Sequence, residues 1–96
     1  MEKEVAEKIN QIEDVYERHV LADFYNKLED YTLFLYVDAK ESCKVYLVYM
    51  SQFKKAMNFK IRKFNKFFRM LVNMEIIEHT KQDVYKFLHK KHKGVL

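Results

Sequence analysis

From residue 2 to residue 28 the apolar side chains Val5, Ile9, Ile12, Tyr16, Val20, Phe24 and Leu28 recur at intervals of three and four. That spacing puts them on one face of an α-helix. The pattern therefore predicts a single long amphipathic helix over about residues 2–28. Glu2, Glu4 and Glu7 lie at the end where the helix dipole favours acids, and no Gly or Pro interrupts the run.

The next stretch changes period. Residues 31–37 (YTLFLYV) and 43–50 (CKVYLVYM) are rich in β-branched and aromatic side chains, and residues 38–42 (DAKES) between them can turn. Intrinsic preference reads this as a β-hairpin.

Residues 50–77 (MSQFKKAMNFKIRKFNKFFRMLVNMEII) carry the densest pattern of the chain. Treated as one helix, Phe59 falls on the basic side and Lys60 falls inside the apolar stripe. A break at Asn58 and Phe59 removes both conflicts. It leaves a short helix over about 52–57, a tight turn at the left-handed-tolerant Asn58, and a second helix over about 60–73. That is a helix-turn-helix. Beyond it, residues 75–79 (EIIEH) and 84–89 (VYKFLH) flank TKQD at 80–83. They read either as two strands and a tip or, with Thr80 and Asp83 as a helix start and Gly94 as an end, as a further helix.

The five apolar positions that a helix-turn-helix requires are filled by Phe53, Met57, Phe59, Phe64 and Phe67, with Leu71 next in the second helix and Ile76-Ile77 after it. In these residues the stretch over about 45–89 resembles the winged helix-turn-helix of MarR-like regulators. The resemblance implies a helix over about 31–40, a short strand over 45–49, a recognition helix over about 60–73, and a two-stranded wing whose tip residues Lys81 and Gln82 touch DNA. It also implies a dimer in which the N-terminal helix takes part. Two positions depart from the family pattern. Lys54 stands where a small residue is usual, its stem able to lie on apolar surface with the head in water. Glu75 stands where a Gly usually ends the recognition helix, and Asn73 offers a left-handed cap two residues earlier.

The expectation is thus one domain over residues 1–96, mostly α with a small β wing (an α+β chain): an N-terminal helix within 1–30 followed by a winged helix-turn-helix within 31–96. The alternative is a helix, a hairpin and two further helices. With 49% hydrophobic and 16% aromatic residues in 96, a chain this short carries more apolar side chains than one small core absorbs easily, and dimerisation is the expected outlet.

Charge then points to a partner. Residues 1–30 hold nine acids against four bases, net −5, while residues 31–96 hold five acids against fourteen bases, net +9. Lys54, Lys55, Lys60, Arg62, Lys63, Lys66 and Arg69 follow one another with no acid before Glu75. A basic C-terminal part suits a polyanion. Arg and Asn read base edges and Lys holds phosphates, so Arg62, Asn65, Lys66 and Arg69 are the expected base-reading residues of double-stranded DNA. Lys54, Lys55, Lys60, Lys63 and Lys81 are the expected phosphate contacts, and Lys90, Lys91, His92 and Lys93 add a basic tail. The expected function is sequence-specific DNA binding by a dimeric transcription regulator. The competing readings are a non-enzymatic inhibitor or adaptor that uses the basic face on an acidic protein, and a basic amphipathic helix lying on an anionic membrane.

Enzyme chemistry is not expected. The only glycine is Gly94, so no phosphate-cradling loop exists, and no nucleophile has an evident base. Cys43 reads as a small core residue and Met50, Met57, Met70 and Met74 as core filler. His79, His89 and His92 approach one another if the wing forms, but lack the thiol and carboxylate support of a metal site. No cofactor or metal is expected. A charged N-terminus without a signal sequence, a single cysteine, and a longest apolar run of seven residues at 31–37 suggest an intracellular, cytoplasmic protein.

Overall fold

The apolar stripe of the first thirty residues is broken in two. In the computed structural model, which describes residues 1–32, 34–38, 43–57 and 63–92, the elements run α1 (Lys3–Ile9), α2 (Val15–Asp30), β1 (Phe34–Asp38), β2 (Cys43–Tyr49), α3 (Met50–Ala56), α4 (Phe64–Asn73), β3 (Ile77–Lys81) and β4 (Val84–His92).

The expected continuous helix over 2–28 is corrected by a local signal. Asp14 accepts a hydrogen bond from the Glu17 backbone N–H at 2.9 Å and so caps α2, a contact of roughly 0.5–2 kcal/mol. The guanidinium of Arg18 holds the linker by donating to the Ile12 carbonyl from Nε and Nη2, at 3.0 and 2.8 Å. After the break the buried positions of α2 are Leu21, Phe24, Tyr25 and Leu28, and Tyr16, expected on the buried stripe, is 79% exposed.

Phe34–Asp38 and Cys43–Tyr49 follow intrinsic preference rather than the family pattern. The helix expected over about 31–40 is not formed: α2 closes with Tyr31 and Thr32 N–H bonded back to Leu28 and Glu29. β1 then pairs antiparallel with β2 from Phe34↔Leu47 to Asp38↔Cys43. A run of β-branched and aromatic residues fits a pleated surface better than a helix face. The expected strand over 45–49 lies within β2.

Residues 80–83 make a hairpin, not a helix start. β3 and β4 pair antiparallel, β4 also pairs with β2, and the four strands stand in the order β1-β2-β4-β3. Asp83 takes the left-handed conformation, φ 69°, at the β3–β4 turn. Val84, the first residue of β4, faces Tyr49, the last of β2, so the tip ends level with β2. Asp83 then caps α3 from across the fold. Its carboxylate accepts from the Ser51 N–H at 2.8 Å and the Ser51 hydroxyl at 2.5 Å, and its carbonyl accepts from the Met50 N–H at 2.9 Å.

α4 starts against its own dipole, with Lys63 at the N-cap, no side-chain cap and no acid in its first turn. Each cation there costs about 0.3–1 kcal/mol. Packing outweighs this, because α4 buries Phe64, Phe67, Phe68 and Leu71, each worth about 1.5–3 kcal/mol. The helix ends at Asn73 with Met74 as C-cap, and the left-handed cap residue is Glu75, not Asn73. Glu75 adopts φ 56°, its N–H reaches the Val72 carbonyl at 3.0 Å, and the Ile76 N–H reaches the Leu71 carbonyl at 2.9 Å. These are the two bonds of a Schellman cap, and Ile76 and Leu71 are both fully buried. The Glu75 carbonyl is clamped in turn by Lys8 Nζ at 2.9 Å and His89 Nε2 at 3.2 Å.

The helices pack on the sheet face that carries Val48, Ile77, Tyr85 and Phe87. Phe24 of α2 is the hub, with ring centroids 5.5 Å from Phe53, 5.7 Å from Phe64, 5.0 Å from Phe67 and 5.4 Å from Phe68. Near the end of α2, Glu29 pairs with Lys90 of β4 at 2.9 Å. The apolar residues of α1 and α2 are therefore largely spent on the protein's own core. Among the described residues, no helix is long and apolar enough to cross a membrane.

Candidate nucleic-acid interface

Of the five apolar positions expected of the helix-turn-helix, Phe53, Phe64 and Phe67 are buried and Met57 packs against the core. Phe59 and the turn at Asn58 lie outside the described residues, as do Lys60 and Arg62. The inward phenylalanines fix which side of α3 and α4 faces out, and that side is cationic.

Lys55, Lys63, Lys66 and Arg69 are exposed, and so is Asn65. Lys54 is half-buried, with Nζ 5.8 Å from the centroid of the Phe64 ring; its stem lies on the aromatic core where a small residue was expected, and its charge stays accessible. Among the described residues, the one ion pair that any of these cations makes is that of Lys66 with Glu17 of α2, at 4.0 Å. An exposed pair at that distance is worth little. Lys81 is exposed beside the hairpin tip, and the tip is held against α3 by Asp83. It therefore lies alongside the start of α3, not on a loop projecting beyond the sheet.

The exposed residues of α4 divide into two stripes. Lys66 faces α2. Asn65, Arg69 and the half-buried Val72 recur at helical spacing along the flank toward β3 and β4, where with Met50, Phe68, His79 and Tyr85 they line a cleft of about 300 Å³. The expected readers Asn65 and Arg69 thus share a concave wall, while Lys66 stands apart from them.

The floor of that cleft was not anticipated. His79 of β3 and Tyr85 of β4 are cross-strand partners. Their rings stack with centroids 4.6 Å apart and planes 12° apart. Tyr85 is buried and packs on Phe68 at 4.8 Å, whereas His79 is exposed. Burial first, and the nearby Asp83 charge second, push the Tyr85 hydroxyl above its ordinary pKa, so the ring stays neutral. The signal available in the sequence was the strand alternation Ile77, His79 against Tyr85, Phe87, which places all four on one face once the hairpin is drawn. A second hollow of about 460 Å³ adjoins the first, sharing Val72 and His79 and bounded by Lys8, Glu75 and His89.

His89 turns to the Glu75 carbonyl and lies 3.9 Å from Glu4, and the side chain of His92 lies outside the described residues, as does that of Cys43. Among the described residues no three His, Cys, Asp or Glu side chains gather as metal ligands would. Comparison with protein-family models, with curated proteins and with solved structures finds no match.

Proposed function

We propose that the protein binds double-stranded DNA through α4, sequence-specifically, as a dimeric transcription regulator of the winged-helix kind. The observation that carries the reading is the cationic face of α3 and α4, two helices with no acid of their own: Lys54, Lys55, Lys63, Lys66 and Arg69 face outward over a core of inward phenylalanines, and among the described residues their one ion pair is that of Lys66 with Glu17. Such a face pays a dipole and self-repulsion penalty in the free protein that a phosphate backbone removes. The succession α2, β2, α3, α4, β3, β4, with β4 between β2 and β3, supports the winged arrangement, to which β1 is an addition. Asn65, Lys66 and Arg69, with Arg62, are the base readers. Lys54, Lys55, Lys63 and Lys60 are phosphate contacts, and Lys81 adds one from beside α3.

Selection of bound sequences from a random duplex pool tests this. The expected result is enrichment of a two-fold repeated site with half-sites about one helical turn, roughly 34 Å, apart. A pool that remains random after repeated rounds counts against sequence specificity, and enrichment of a single half-site counts against the dimer.

A further inference from the structure

The cleft beside α4 has a construction that phosphate contact does not need. Asn65 and Arg69 stand in one wall, the lining of Met50, Phe68 and Val72 is apolar, and none of the lining side chains is acidic. Between them stands His79, an exposed ring kept flat by the Tyr85 ring beneath it, 4.6 Å away and nearly parallel. Tyr85 is itself fixed against Phe68, so the platform is rigid on the buried side and open on the other. A cavity of about 150 Å³ takes a benzene, and this cleft, at about 300 Å³, has room for a bicyclic heterocycle.

An aromatic platform, a planar guanidinium and an amide are the groups that recognise an unstacked base, by its π-face and its hydrogen-bonding edge. Arg69 in the wall and Lys63, exposed at the start of the same helix, supply the charge complementarity for the strand that carries it. We propose that the His79 cleft takes one unpaired nucleobase, stacked on His79 with its edge toward Asn65 and Arg69, so that the protein prefers DNA with a bulged or locally opened base to a fully paired duplex. This rests on the DNA-binding reading above and adds to it a structural preference of the target.

The test compares two duplexes of about 20 base pairs, one fully paired and one with a single bulged fluorescent aminopurine at its centre, each titrated with the intact protein at low salt. The expected result is about tenfold tighter binding of the bulged duplex, with aminopurine fluorescence falling as the base stacks. His79→Ala brings the bulged duplex to the affinity of the paired one and leaves the paired one unchanged, and His79→Phe keeps the preference. Equal affinity for both duplexes in the wild-type protein, or a preference that survives His79→Ala, overturns this inference alone. Binding of neither duplex overturns the DNA-binding reading beneath it.

Discussion

Replacing Glu75 with glycine is expected to stabilise the protein, and replacing Asp83 with glycine to destabilise it, although both residues hold a left-handed backbone at φ 56° and 69°. A non-glycine residue pays roughly 1–2 kcal/mol there, and glycine returns about 0.5–1 kcal/mol of that through the greater freedom of the unfolded chain. At Glu75 nothing else changes. The Schellman bonds and the contacts to Lys8 and His89 all use main-chain atoms of residue 75, and its exposed side chain has no hydrogen-bond or ion-pair partner among the described residues. The net gain is about 0.5–1 kcal/mol, or a rise of about 2–8 °C in Tm for a domain of this size. Asp83 tolerates the left-handed region better, and its carboxylate caps α3 at Ser51; losing the cap costs about 0.5–2 kcal/mol, which outweighs the small relief. Thermal unfolding followed by circular dichroism reads both. A lowered Tm in Glu75→Gly, or shifts of the same sign in the two variants, refutes the reasoning.

Phe24→Ala should cost about 3–5 kcal/mol in urea unfolding, a large share of the roughly 5–14 kcal/mol expected for a domain of this length. Tyr16→Ala, one of the seven positions of the same periodic stripe but 79% exposed, should stay within about 0.5 kcal/mol. Stability should fall at alkaline pH. The Tyr25 hydroxyl is buried and donates to Glu2 at 2.6 Å, and burial, then that bond, raise its pKa above the ordinary value. The unfolded chain therefore ionises first, and stability complete at neutral pH declines as pH rises past about 10. Lys90, raised by its hydrogen bond to Glu29, works in the same direction. A melting-temperature series across this range should show a shallower alkaline slope in Tyr25→Phe, and an unchanged slope would disprove the assignment to Tyr25.

How much of this was legible depends on where the information lay. The inward stripe of α4 could be read directly, because four large apolar residues recur at helical spacing and packing follows them. The break before α2 was legible too, in Asp14 three residues ahead of Glu17, but a stripe that runs unbroken through Ile12 and Tyr16 masks it: periodicity reports possible faces and not which turns are occupied. Phe34–Asp38 shows local preference prevailing over a pattern borrowed from a family. Glu75 could not be read as a cap, because its strain is carried by Lys8, His89 and the buried Ile76, from three separate places in the chain. The His79–Tyr85 stack was hidden for the same reason, since it exists only in the register of β3 on β4. Exposure of Asn65, Lys66 and Arg69 was anticipated; their division between the cleft and the α2 side was not.

The central claim is that the outward face of α3 and α4 binds a phosphate backbone, and a salt series of duplex titrations tests it most directly. With Lys54, Lys55, Lys60, Lys63 and Lys81 as the phosphate contacts, log affinity should fall against log salt with a slope of about −4 to −5, a loss of several hundredfold between about 50 and 200 mM. Lys54→Ala/Lys55→Ala should flatten that slope by about 2, with Lys66→Ala/Arg69→Ala weakening binding further. An affinity insensitive to salt, or one unchanged in either double variant, would contradict the account.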